Sequence, residues 1–166
     1  MSSTQESVTQ LADGEVASDA NQYLTFRLGN EEYGVDILSV QEIKGYVQTT
    51  RLPNSPPEII GVLNLRGTVV PIIDLRRKFG LEVVEYTSFT AIVVVVVRGR
   101  VMGMIVDSVS EVVNIPQAHI QPSPDFGASM RINFIKGMAK RDDALITLLD
   151  IETVLLGENS NTAIAA

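Results

Sequence analysis

Apolar and polar positions alternate along much of this chain with a period of two, the signature of strands that bury one face. Leu24, Phe26 and Leu28 alternate with Thr25 and Arg27, and Gly29-Asn30 then turns the chain into residues 33–37. That pattern predicts a hairpin. Residues 62–65, the dipeptide Arg66-Gly67 and residues 68–73 predict a second, in which Gly67 supplies the positive φ a tight connection needs. A β-branched run at 92–97 turns at Arg98-Gly99 and resumes at 101–106, while Asp142-Asp143 separates 137–140 from 144–149 in the same way. The unbroken apolar stretch 91–97 is far shorter than the roughly 20 residues of a membrane helix, so it reads as a buried strand. Brief helices are predicted at 57–60, 74–79 and 150–156, where Asp74 and Asp150 can cap the first turn through a side-chain oxygen. Short strands at this spacing, with little sustained helical period, predict an all-β fold of barrels or sandwiches.

An internal repeat organises these elements. Gly34 is followed by Val40, Glu42 and Pro53, and Gly103, Val109, Glu111 and Pro122 keep the same intervals 69 residues later. Gly61 precedes Asp74 by 13 residues and Gly137 precedes Asp150 by 13, an offset of 76. The second copy therefore carries seven extra residues, the difference between 76 and 69, between Pro122 and Gly137. Hydrophobic pattern follows the same offset, since Val69, Val70, Ile72, Ile73 and Leu75 correspond to Leu145, Ile146, Leu148, Leu149 and Ile151. Two five-stranded barrels fit this duplication best.

Composition narrows the chemistry. Forty-five per cent hydrophobic and 20% charged residues predict an ordinary globular fold, and a net charge of -7 argues against nucleic acid or an anionic membrane as partner. There is no cysteine, which excludes disulfides and thiolate metal sites and fits a reducing cytosol. The single histidine, His119, lies in the turn-like stretch 116–124, so neither a nucleophile–base pair nor an imidazole metal site can be assembled. Asp142-Asp143 lacks the alternating acidic loop of a calcium hand and reads as a turn. Glu42, Asp107 and Glu111 stand in apolar surroundings that can raise a carboxyl pKa, but nothing in the sequence brings them together for acid–base work. Residues 1–20, without the basic start and apolar run of a signal peptide, and residues 158–166 are expected to be disordered tails.

Particular residues carry a resemblance. Tyr33-Gly34-Val35-Asp36-Ile37, Val40-Gln41-Glu42-Ile43, Arg51-Leu52-Pro53-Asn54 and the run from Gly61 through Asn64-Leu65-Arg66-Gly67 to Pro71, Asp74 and Arg76 resemble the CheW-type chemotaxis coupling proteins. The similarity continues through Val106-Asp107-Ser108-Val109-Ser110-Glu111-Val112 and residues 145–151, so that it spans about 20–157. It implies two intertwined SH3-like barrels, at about 21–88 and 89–157 with some strand exchange, together with short helices. It also implies an adaptor without catalysis or cofactor. Such a protein bridges the helical-hairpin tips of methyl-accepting chemoreceptors to the regulatory domain of the histidine kinase CheA, and lies in the cytoplasm within receptor arrays, without inserting into the membrane. By matched motif, Val40, Glu42, Arg66 and Val112 carry over as the receptor side, the valines as apolar contacts and Arg66 as a group that holds the groove or meets a polar receptor atom. From the residues alone, Val40 and Val112 fit a core role equally well, and Arg66 fits a solvated turn. The kinase contact is not assigned, with the hairpins at 24–43 preferred. The competing readings are a non-catalytic scaffold of another two-component pathway and a small-ligand-binding barrel.

Overall fold

The computed structural model describes residues 20–122 and 134–157. The expected tails, Ala20 excepted, and most of the insertion between Pro122 and Gly137 lie outside the described residues. Eleven strands and two short helices are present among those described: β1 (Ala20–Leu28), β2 (Glu31–Asp36), β3 (Val40–Gly45), β4 (Ile59–Leu65), β5 (Thr68–Asp74), α1 (Leu75–Lys78), β6 (Ala91–Val97), β7 (Arg100–Val106), β8 (Ser108–Pro116), β9 (Ile120–Gln121), β10 (Ile135–Arg141), β11 (Ala144–Leu149) and α2 (Ile151–Leu156). Single 3-10 turns stand at Ile37–Ser39 and Gln117–His119, and the latter leaves His119 exposed.

The predicted hairpins all form. Arg66 and Gly67 have φ of 50° and 88°, and Arg98 and Gly99 have 52° and 78°, the doubly left-handed turn whose twist matches the flanking strands. The helix expected at 57–60 does not form: Ile59 already pairs with Ile73 in the β4–β5 ladder, while its N–H donates to the Pro56 carbonyl, leaving only a turn at 57–58. β-branched Ile59 and Ile60 prefer that strand. Asp74 and Asp150 cap their helices as expected, accepting from the N–H of Arg76 at 2.9 Å and of Thr153 at 3.4 Å.

Two SH3-like barrels are built from these strands, and each draws on both copies of the repeat. One sheet has the order β8-β1-β2-β11-β10-β9 and the other β3-β6-β7-β5-β4, with β2–β11 and β5–β7 as the parallel pairs. Apart from β9, replacing each strand by its repeat counterpart converts one order into the other. The division near residue 88 therefore separates the sequence copies but not the sheets. Both sheets close on themselves: β8 passes through the second 3-10 turn into β9, which pairs with β10, and Thr50 beyond β3 bridges Val62 on β4.

Side-chain alternation distributes the core over three clusters. Val70, Ile72, Ile92, Val94 and Ile105 fill one barrel, and Tyr23, Val113, Ile115, Ile146 and Leu148 fill the other. The largest cluster lies between them and includes Leu24, Phe26, Leu28, Val93, Val95, Met104, Leu149 and Leu155. Strand β6 thus turns Ile92 and Val94 into a barrel and Val93 and Val95 toward the other sheet, which explains its unbroken apolar run. The repeated glycines mark close approaches. A Cβ on Gly34 would meet Leu148 at 3.0 Å, and one on Gly103 would meet Ile72 at 2.6 Å, each across a parallel pair.

Candidate functional site

Glu42 owes its direction to a β-bulge. Val40 pairs with Val95 but Glu42 pairs with Val94, so Gln41 is the extra residue and the side chains of Val40 and Glu42 leave opposite faces of β3. Val40 packs on the cluster between the barrels, whereas Glu42 emerges at the end of its own barrel. The same device recurs on β8, where Val109 pairs with Phe26 and Glu111 with Thr25, and the Thr25 hydroxyl donates to the Glu111 carbonyl at 2.9 Å. The Val-x-Glu spacing shared by the two copies therefore encodes one inward and one outward side chain around a bulge.

Arg66 occupies the tip of the β4–β5 hairpin. Asn64 accepts from the Gly67 N–H at 2.8 Å, which fixes the tip, and Nη2 of Arg66 donates to Oε1 of Glu42. This hydrogen bond, reinforced by the charges of Arg66 and Lys44, holds the Glu42 carboxyl below its ordinary pKa. Arg66 remains 70% exposed and Glu42 23%. The pair is thus preorganised at the surface and contributes little to packing.

The other two candidate positions divide. Val40 is half-buried and belongs to the core side of its strand, while Val112 on β8, opposite Leu24, is 47% exposed and carried by the other sheet. Ile43 is the repeat counterpart of Val112, 69 positions earlier, and is also open, at 45% exposure. Sequence reading missed Ile43, although the repeat offset pointed to it. Leu38, 89% exposed on the 3-10 turn that feeds β3, was missed too, because an apolar residue beside strand residues reads as core.

The three carboxylates considered for acid–base work are held by three different arginines. Glu42 meets Arg66, Asp107 meets Arg76, and Glu111 lies 3.9 Å from Arg141. Nε and Nη2 of Arg76 donate to the two Asp107 oxygens at 2.8 and 2.6 Å, and the Gly29 N–H donates to the same carboxylate at 2.7 Å. Burial would have raised the carboxyl pKa of Asp107, but the Arg76 hydrogen bonds win and lower it, so the elevated value contemplated for Glu42 and Asp107 is overturned in both. The Arg66–Glu42 pair thus lies open at a hairpin tip, whereas Arg76 and Asp107 form a less exposed clasp between α1 and the junction of β7 and β8. Among the described residues no group of three His, Cys, Asp or Glu is placed to hold a metal ion. No helix among them is long and apolar enough to cross a membrane.

Known proteins resemble this chain in sequence and fold. The family model described as CheW-like domain matches residues 22–158. The chemotaxis protein CheW of Klebsiella aerogenes is 45% identical over 137 residues, covering 82% of this chain and 82% of its own. That of Helicobacter pylori is 37% identical over 134 residues, covering 81% of each. The crystal structure of the scaffolding protein TtCheW from Thermoanaerobacter tengcongensis superposes with a TM-score of 0.75 at 34% identity, over 81% of this chain and 91% of that one.

Proposed function

The chain belongs to the CheW-like family of chemotaxis scaffold proteins, and on that premise we propose that it couples chemoreceptor cytoplasmic tips to the histidine kinase CheA and lets the receptors control autophosphorylation. The kinase chemistry resides in the partner. Coupling of this kind takes place in the cytoplasm, within arrays held at the membrane by the receptors themselves.

The observation that supports this reading best is the Glu42–Arg66 pair: its two members are fixed in place, yet the arginine is 70% exposed. A charged group held rigid without being needed for packing is suited to a partner. An amphipathic receptor helix presents apolar side chains at intervals of three and four residues, which Val40, Ile43 and Val112 can meet while Arg66 engages a polar group. Glu42 keeps the guanidinium in one orientation and so lowers the ordering cost of contact. For the kinase side, the part of the preferred hairpins at 24–43 that lies away from the receptor positions, the β1–β2 hairpin and the turn carrying the open Leu38, is the proposed surface. Individually modest contacts gain strength from multivalent packing in an array.

The test is a pulldown with a receptor cytoplasmic fragment. Arg66→Ala should bind about tenfold more weakly than the unaltered chain, with no change in melting temperature. Undiminished receptor binding by this variant would remove Arg66 from the proposed surface.

A further inference from the structure

The connection between β3 and β4, residues 46–58, lines an open cavity of about 540 Å³ together with α1 and the segment before β6. Its walls are fixed. The Tyr46 and Tyr86 rings lie 4.4 Å apart, the Tyr86 hydroxyl donates to buried Asp74 at 2.7 Å, and the Asp74 N–H donates to the Glu58 carbonyl at 3.0 Å. Gly61 lets the loop lie on β4, since a Cβ there would stand 2.5 Å from the Thr50 carbonyl oxygen. The size falls within the range of small-molecule sites, roughly 300–1,000 Å³.

The lining has one sign of charge. Arg51 and Arg77 both face the cavity, Gln48 and Asn54 add neutral amide donors, and no carboxylate lines it. Among the described residues neither guanidinium is engaged by a carboxylate, whereas the other ion pairs consume Arg66, Arg76, Arg98 and Arg141. In a chain of net charge -7, two unpaired arginines on one concave surface are an unusual local reversal. Guanidinium forks match the oxygens of a phosphoryl group with two parallel hydrogen bonds. We propose that this cavity binds a small phosphoryl-bearing molecule, with Arg51 and Arg77 gripping the phosphoryl oxygens and Tyr46 and Tyr86 forming the wall behind them. The site shares no residue with the proposed receptor surface, so either can fail without the other.

Calorimetric titration of the full chain with inorganic pyrophosphate at low ionic strength tests the site, with succinate as the carboxylate control. Saturable binding of one pyrophosphate should weaken at least about tenfold in the double variant Arg51→Gln, Arg77→Gln and stay unchanged in Arg98→Gln. In the unaltered chain the same titration, followed by NMR, should shift the Tyr46 and Tyr86 resonances and leave Tyr23, buried in the other barrel, in place. Absence of saturable binding, equal binding by the double variant, succinate binding as tight as pyrophosphate, or shifts spread evenly over the surface would each overturn the proposal.

Discussion

The two barrels place a glutamate after the same bulge and an arginine on the facing hairpin, yet the two pairs differ. Glu42 and Arg66 are in direct hydrogen-bond contact at a tip shaped by Arg66-Gly67, whereas Glu111 and Arg141 stand 3.9 Å apart beside the acidic tip Asp142-Asp143. A second comparison runs the same way. Arg76 on α1 clasps Asp107, between β7 and β8, with two hydrogen bonds, and the same carboxylate accepts from Gly29 on the β1–β2 hairpin; at the matching place on α2 stands Glu152, whose contact with Arg98 on the β6–β7 hairpin is a single 3.1 Å one open to solvent. Duplication has kept the strand order and the core and has let the polar surface diverge. Positions constrained by packing resist change in both copies, while each exposed pair is free to take on a separate task.

Substitutions can break this contrast, beginning with what the barrels share. Phe26→Ala, in the cluster between the sheets, should cost about 3–5 kcal/mol and lower the stability of both barrels in a single urea transition. Separate transitions for the two sheets would show that the cluster does not unite them. The clasp comes next. Arg76→Met should cost about 1.5–3 kcal/mol, because it leaves the half-buried Asp107 carboxylate without its charged partner, while Arg98→Gln, at the exposed contact of α2 with the β6–β7 hairpin, should cost about 0–1 kcal/mol. Equal losses at the two positions would erase the asymmetry.

Acid sharpens the same comparison. The folded-state pKa of Asp107 lies below its ordinary value of 3.8, so the clasp's stabilisation is fully present above that value and is lost as pH falls through the lower, folded-state pKa. In unfolding measurements between neutral pH and about pH 3, where a carboxylate of ordinary pKa becomes protonated, Asp107→Asn should therefore lose less stability than the unaltered chain. A steeper loss would contradict the sign of the shift. The smallest effects belong to the open apolar pair: Ile43→Ala and Val112→Ala should each change unfolding free energy by no more than about 0.5 kcal/mol. Larger losses would return these residues to the core.

Much of the architecture was legible before any coordinates, because two-residue turns and period-two alternation are local signals. Gly67 and Gly99 announced their hairpins, and the offsets of 69 and 76 matched strand to strand with one insertion. Strand exchange was foreseen only through family resemblance. Its extent depends on which strands close each barrel, and the parallel β2–β11 and β5–β7 pairings leave no trace in either segment alone. The helix expected at 57–60 failed because ladder pairing with Ile73 outweighed a local turn signal. At the site, Glu42 and Arg66 meet across 24 residues of sequence, a contact that periodicity cannot show. Val40 and Val112 look alike as letters, and only their places before and after a bulge separate the packed residue from the open one. The Arg76–Asp107 clasp was invisible because apolar flanking residues argue for a raised carboxyl pKa unless the distant arginine is known.

The central claim is that this doubled barrel couples two other proteins through its surface. Autophosphorylation of CheA should be measured in the presence of receptor cytoplasmic fragment, with the chain omitted, with the unaltered chain, and with Arg66→Ala. Receptor-dependent activity should appear only when the unaltered chain is added and should fall sharply with the equally stable variant. Kinase activity that responds to receptor just as strongly without the chain would contradict the account.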